Sequence, residues 1–307
     1  MPKEQIVFLD NLKIGNKNVE KLSRYGKIIR HANDWPDEEK AIKLAQDSTI
    51  IINKWIFISQ KILSASKNLR YVVMAMTGYH DWIDIDAARK LKIKVSNVPA
   101  FSSQAVAEHA ILLMLSVIRK LLPANSDLKN GNFNSKSFKG IELSGKTLGI
   151  IGYGNIGQKI AQIARGFGMN ILTADSKSSK KEIETLLSKS YFLSVNTPLT
   201  PQTEKLIGEN ELSLLPQGAV VINTSRGKVI DEEALIDHLK NGHLGGAGLD
   251  VFAKEPPAKT NPLFSLPNVV VTPHVAWNTK ESLERLGDGV VANIEAFLKG
   301  KPINIVS

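Results

Sequence analysis

Short apolar runs alternate along the chain with longer stretches in which apolar residues return every three or four positions. In the first third the runs fall at residues 6–9, 50–52, 71–76 and 93–95. They are continuous rather than alternating, which suits strands buried on both faces of a parallel sheet. The polar stretches between them, such as 37–46 and 84–91, are compatible with helix. Pro99 breaks the pattern and Ser102 and Ser103 offer N-caps, so 104–122 reads as one long helix. Val106, Ile111, Leu112, Leu115 and Ile118 make that helix too apolar for a single exposed face. It packs either between domains or on another subunit. Residues 125–140, rich in Asn, Lys and Ser, read as a loop with short helical pieces. Six further strand-like runs follow at 147–151, 171–174, 192–195, 219–223, 246–251 and 269–272. An amphipathic helix over 279–298 closes the chain and is expected to return onto the first domain. Strands alternating with helices at this spacing predict an α/β protein. The expected architecture is two doubly wound parallel-sheet domains, residues 1–98 with 278–307 and residues 99–277.

One stretch carries more than periodicity. The run 147–151 leads into Gly152-Tyr-Gly154-Asn-Ile-Gly157, a helical pattern follows through Ala164, and a second apolar run ends at Asp175. Strand, glycine turn, helix, strand and acid in that order form a Rossmann-like dinucleotide-binding unit. Gly152 permits the tight turn, Gly154 lets the backbone approach a pyrophosphate, and Gly157 lets the helix pack closely on the sheet. Asp175 stands where a carboxylate accepts hydrogen bonds from an adenosine ribose. Residues 1–98 hold no such turn, so they are expected to bind substrate while 99–277 bind the dinucleotide, with the active-site cleft between the two.

Composition removes several alternatives. The 307 residues include no cysteine, which excludes disulfides, thiolate catalysis and Cys-based metal sites. No apolar run reaches the length of a membrane span, and the N-terminal MPKEQIVFLD lacks the apolar core of a signal peptide. A cytoplasmic enzyme without membrane contact is the expectation. The net charge of +9 raises the question of nucleic acid. The lysines are scattered, however, without aromatic interleaving or a basic tail, and read as a solvated surface that also attracts anionic ligands.

The remaining chemistry gathers at expected strand ends. In the first domain these are Asn53-Lys54-Trp55 and Thr77-Gly78-Tyr79-His80, placed for a small anion such as a carboxylate or for plain turns. In the second they are Asn223-Thr-Ser-Arg226-Gly227, Asp250 through Glu255-Pro256, and Thr272-Pro-His274-Val-Ala-Trp277. Singly, each has an ordinary explanation: Arg226 as a carbonyl cap, Glu255 as surface charge, His274 as a satisfied loop histidine. Together, beside a dinucleotide turn, they suit hydride transfer to a 2-oxo acid. Arg226 would bind the carboxylate and polarise the ketone, His274 would protonate the oxygen, and Glu255 would favour the protonated imidazole. One His and one Glu without a third ligand do not make a metal site.

With these residues in view the chain resembles the D-isomer-specific 2-hydroxyacid dehydrogenase family over nearly its whole length. The resemblance rests on 78–86, Ala105-Val-Ala-Glu-His109, 152–157, 223–229, Ala247-Gly-Leu-Asp-Val-Phe252 with Glu255-Pro256, and Pro273-His274. It implies catalytic roles for Arg226, Glu255 and His274, and cofactor contacts at Val106, Gly152, Gly154, Asn155, Ile156, Gly157, Asp175, Pro198, Thr203, Thr224, Ser225, Arg226, Asp250 and His274. It also implies substrate contacts at Thr77 and Gly78, and a homodimer through the helix 104–122. Asn53-Lys54, Thr77-Gly78 and His274 to Trp277 look most like the glycerate dehydrogenases, or hydroxypyruvate reductases, adding Lys54 and Trp277 as candidate substrate residues. The chain departs from the family pattern at Asn196, where a His is usual, at Tyr191, where an Asp is usual, and in a shortened stretch 176–184, as though one strand-helix connection were missing.

The expected function is reduction of a short 2-oxo acid, hydroxypyruvate or glyoxylate in type, by an NAD(H)-dependent oxidoreductase acting on the CH–OH group of D-2-hydroxy acids. The alternative is an NAD(H)-sensing binding protein like the corepressors that share this fold. A formate enzyme is disfavoured because Glu255 stands where those carry Gln. For the cofactor, Asp175 repels a 2′-phosphate, so NADH should be preferred, although Lys177, Lys180 and Lys181 leave NADPH open. A comparison of kcat/KM for the two cofactors checks this, and a clear preference for NADPH removes Asp175 from the role.

Overall fold

The computed structural model describes residues 4–31 and 36–307. The chain divides into two compact units, Met1–Ser102 with Asn278–Ser307, and Ser103–Trp277.

The first unit is built on five parallel strands: β1 (Glu4–Phe8), β2 (Gly26–Arg30), β3 (Ile50–Asn53), β4 (Tyr71–Met74) and β5 (Lys94–Asn97). Helices α1 (Asn16–Ser23), α2 (Glu38–Ala45), α3 (Gln60–Leu63) and α4 (Ile85–Lys90) connect them in turn. Asp37, Ser59 and Asp84 cap the last three, each side chain accepting a backbone N–H of the first turn. The strand order β2-β1-β3-β4-β5 reverses direction between β1 and β3, the crevice where ligands of doubly wound sheets bind. β3 and β4 are buried along their whole length, as their unbroken apolar runs require. The strand β2 has no counterpart among the expected runs. It is an edge strand with one neighbour, half exposed, and only Ile28 and Ile29 mark it.

The second unit opens with α5 (Ser103–Ile118) and α6 (Leu121–Lys129). The single helix expected over 104–122 is therefore two. Lys120 takes a left-handed conformation (φ 50°) between them, and the second helix runs on to Lys129, into the stretch 125–140 expected as a loop with short helical pieces. Pro123 supplies the reason. It has no N–H to bond back to Arg119, so it cannot sit in the interior of α5, but it fits the first turn of a new helix, where N–H groups have no partner.

Six parallel strands follow: β6 (Thr147–Ile151), β7 (Asn170–Ala174), β8 (Phe192–Val195), β9 (Ala219–Asn223), β10 (Leu244–Leu249) and β11 (Val269–Val271). The helices between them are α7 (Asn155–Gly166), α8 (Lys180–Lys189), α9 (Glu209–Ser213) and α10 (Glu232–Lys240). The sheet order is β11-β10-β9-β8-β6-β7, with its switch point between β6 and β8. Between β7 and β8 the chain makes one helix and no strand, so β7 is the sheet edge. That is the shortened connection seen in the sequence. Separate apolar cores cover the two faces, one around Leu193, Val221 and Leu235, the other around Ile150, Ile160, Ile222 and Leu113. In the second, α5 lies against α7 and β10, so most of its apolar surface is spent inside its own unit.

The last helix, α11 (Lys280–Leu298), belongs to the first unit. Ser282, Leu286, Val290 and Ile294, four residues apart, form its buried stripe. Tyr71 stacks on Phe297 at 4.2 Å between ring centroids and shares a 2.6 Å hydrogen bond with Ser96. No helix among the described residues is long and apolar enough to cross a membrane.

Candidate active site

The glycine turn lies at the switch point of the six-stranded sheet. Gly152 has φ 93°, and a Cβ there would meet the backbone oxygen of Asn196 at 2.7 Å, so the turn after β6 lies directly on the turn after β8. Gly157 is tighter still, with a Cβ 2.3 Å from the oxygen of Gly152. Gly154 is the opposite case: nothing lies within 4 Å of its missing Cβ. It is also the N-cap of α7 and brings no side chain to satisfy the helix N–H groups. A closely packed helix with an open, uncapped N-terminus is a cradle for a phosphate group. Nearby strand ends carry buried oxygens with no hydrogen-bond partner within the protein: Asn196 Oδ1, Thr197 Oγ1 and Thr224 Oγ1. These features fit a polar ligand such as a dinucleotide. Asp175, past the end of β7, is exposed, and its Oδ1 accepts the Lys177 N–H at 2.8 Å. Thr203 donates to the Pro198 carbonyl at 2.6 Å and fixes the loop beyond β8.

Three loops at the carboxyl ends of β9, β10 and β11 bring Arg226, Glu255 and His274 together. Buried Asn223 organises the first. Its Oδ1 accepts both the Ser225 N–H and hydroxyl, and its Nδ2 donates to the Arg226 carbonyl at 2.9 Å. A Cβ on Gly227 would stand 1.9 Å from the carbonyl carbon of Phe252, so this loop rests directly on the next. There Glu255 Oε1 accepts the Phe252 N–H at 3.0 Å, and its Oε2 lies 2.7 Å from His274 Nδ1. Burial pushes the Glu255 carboxyl up; the hydrogen bond and charge of His274, the Phe252 N–H and the Arg226 guanidinium together outweigh it and hold it below its ordinary value. An ionised Glu255 accepts Nδ1–H, which leaves Nε2 as the second proton-carrying nitrogen of the ring.

His274 has φ 54°, a left-handed conformation that costs a residue with a Cβ about 1–2 kcal/mol. Its backbone is held on both sides. The Asp250 carbonyl accepts its N–H at 2.8 Å, and its own carbonyl accepts the Trp277 indole N–H at 2.9 Å. Trp277 is thus tied to the His274 backbone.

The first unit's candidates sit at its own strand ends. Lys54 follows β3 and is 4% exposed, with Nζ 4.9 Å from the Trp55 ring centroid and 5.3 Å from that of Phe101. Burial lowers its pKa to about 8 against the opposing pull of Asp10. Thr77 donates to the Val98 carbonyl at 3.3 Å and its carbonyl accepts from Asn97 Nδ2 at 2.8 Å, which anchors the loop bearing Gly78. Sequence reasoning missed Asp10, Asn223 and the Thr272 hydroxyl. The position of Asp10, an acid directly after an apolar strand, was the one available signal. Val106 is buried in α5. Among the described residues no group of three or more His, Cys, Asp or Glu is placed to hold a metal.

The fold and the site together define an α/β protein with a dinucleotide-type glycine turn at a sheet switch point and a guanidinium, a carboxylate and an imidazole along the same edge. Residues 111–276 match the family model described as D-isomer specific 2-hydroxyacid dehydrogenase, NAD binding domain. The chain is 36% identical to a glycerate dehydrogenase of Methylorubrum extorquens, over 99% of each chain. It is 40% identical to a glyoxylate reductase of Thermococcus litoralis, over 84% of this chain and 82% of that one. Among solved structures, an acyclic imino acid reductase in complex with NADPH and D-Arg is 35% identical and matches with a TM-score of 0.92, covering 99% of this chain and all of that one. The chain belongs to the D-isomer specific 2-hydroxyacid dehydrogenase family.

The close approach at Gly157 yields a direct test. Gly157→Ala must push α7 away from the turn, since the obstructing atom is backbone. The variant is expected to bind NADH at least ~10-fold more weakly, a shift of about 1.4 kcal/mol, measured by fluorescence titration. Unchanged affinity shows that the turn does not hold the dinucleotide.

Proposed function

We propose that this protein is an NAD(H)-dependent D-2-hydroxyacid dehydrogenase that reduces a short 2-oxo acid of the hydroxypyruvate or glyoxylate type. The observation that carries the reading is the 2.7 Å His274–Glu255 pair beside Arg226, on the same sheet edge as the glycine turn. Named relatives that act on glycerate, hydroxypyruvate and glyoxylate support the substrate class.

NADH, when bound, supplies the hydride. Gly152, Gly154 and Gly157 with the first turn of α7 would hold its pyrophosphate, Asp175 its ribose, and Thr224 its nicotinamide end; the Asp250 carboxylate, fully buried and already accepting three donors, would act only through the loop it anchors. Arg226 binds the substrate carboxylate through its planar fork and polarises the ketone. His274 delivers the proton to the ketone oxygen. Glu255 keeps the ring oriented, and its ionised carboxylate, held below its ordinary value, sets a negative charge 2.7 Å from Nδ1. Lys54, Thr77 and Gly78 of the first unit would contribute contacts to the substrate carboxylate. We further propose a homodimer. The surface left apolar runs from Leu112 through Leu121, Leu122 and Leu128 to Phe133, which is 91% exposed, on and after α5 and α6.

The decisive experiment follows NADH oxidation against hydroxypyruvate, glyoxylate, pyruvate and longer 2-oxo acids. Turnover with the short acids is expected; tight NADH binding without turnover on any of them supports the sensing protein instead. The rate of reduction should be highest at low pH and fall as pH rises, because the proton on His274 is consumed, and oxidation of the hydroxy acid should show the opposite limb. In Glu255→Gln the charge that favours the protonated ring is gone, so the falling limb moves to lower pH with activity partly kept on the acid side. A limb that stays in place shows that the two side chains are not coupled. For the dimer, sedimentation should give twice the chain mass, and Leu122→Asp with Leu128→Asp should give the monomer; a monomeric natural protein ends that proposal.

A further inference from the structure

The Asp250 carboxylate receives three donors. The Thr272 hydroxyl gives its proton to Oδ1 at 2.5 Å, the Val275 N–H reaches the same oxygen at 2.9 Å, and the Ala276 N–H reaches Oδ2 at 2.8 Å. With the carbonyl of Asp250 on the His274 N–H, one buried residue grips three successive backbone N–H groups of the loop that bears the proton donor. His109 Nε2 lies 2.9 Å from Thr272 Oγ1 and 3.6 Å from Asp250 Oδ1. A hydroxyl has one proton, and here it is already given to Asp250. The hydrogen bond to His109 must therefore run from Nε2–H to Oγ1. The tautomer of His109 and the rotamer of Thr272 fix each other, and both are set by the carboxylate.

We propose that His109, on α5, is a positioning residue: through Thr272 it orients the Asp250 carboxylate, and through that carboxylate it holds residues 274–276 and the left-handed backbone of His274 in place. His109 is largely buried, its side chain 14% exposed, and its hydrogen bond goes to Thr272 rather than to Arg226, Glu255 or His274. It acts on the reaction only by way of the His274 backbone. This role rests on the proposed reduction of a 2-oxo acid, with His274 as proton donor.

The test is a double-mutant cycle in the full chain with NADH and hydroxypyruvate, using His109→Leu, Thr272→Val, the pair, and His109→Gln, whose amide nitrogen can restore the donor. Loss of the relay is expected to lower kcat about 10-fold in either single variant, in keeping with the sensitivity of proton and hydride transfer to sub-ångström placement. KM for NADH should move much less. The pair should lose no more than either single variant, because both break one chain of bonds, and His109→Gln should recover most of kcat. Additive losses, or a Gln variant as poor as Leu, overturn the proposal. If His109→Leu does not fold, Thr272→Val with His109→Gln carries the cycle. Amide hydrogen exchange at Val275 and Ala276 reads the clamp without turnover. Faster exchange in His109→Leu and Thr272→Val but not in His109→Gln is expected, and unchanged exchange overturns the clamp. A natural protein inactive on every 2-oxo acid defeats the proposed reaction, while the exchange measurement still decides the relay.

Discussion

A buried carboxylate at the end of a parallel strand orders the functional loops of both units. Asp10 follows β1 and accepts the N–H groups of Leu12, Lys54 and Trp55. Asp250 follows β10 and accepts the Thr272 hydroxyl and the N–H groups of Val275 and Ala276. Each acid is fully buried, and each grips the loop that leaves the neighbouring strand, β3 in one case and β11 in the other. Burying a carboxylate carries a desolvation penalty that only converging donors offset. At Asp10 burial pushes the carboxyl up even against the N–H groups of Trp55, Lys54 and Leu12 and the charge of Lys54. Such an acid tolerates little change in its surroundings. The loops are thereby fixed by hydrogen bonds to a point inside the sheet rather than by packing on the surface.

Glycine sets how close those loops come. A side chain at Gly227 would overlap the backbone of Phe252, and one at Gly157 would overlap Gly152. The first contact lets the guanidinium of Arg226 act on Glu255. The second seats α7 against the turn that its open N-terminus completes. Proximity in this site is achieved by removing side chains from the crossings, and orientation by placing Asn223 and the two aspartates beneath them. His274 combines both, with a backbone held in a costly conformation and a ring held by Glu255.

Much of this is legible in the sequence. The continuous apolar runs gave nearly every strand, because strands covered on both faces need no alternation. The glycine spacing located the switch point of the second sheet. Arg226, Glu255 and His274 were legible as a group because each follows such a run. What escaped was local in pattern but decided by neighbours. The strand β2 has one partner and two apolar residues in its middle, too little for periodicity to register. The break between α5 and α6 depends on a Pro123 that is harmless in a first turn and disruptive in the interior of a longer helix.

By itself the sequence determined the class of fold, the glycine turn and the residue types of the site, since these follow from short-range spacing and from the steric freedom that glycine alone has. Only the tertiary structure decided that Asp10 and Asp250 are buried anchors, that Asn223 organises the turn before Arg226, and that His109 reaches Thr272 from a helix more than 160 residues earlier in the chain. Those roles depend on which hydrogen-bond donors converge on a buried oxygen. Convergence is a property of strand order and register, and spacing along the chain does not carry it.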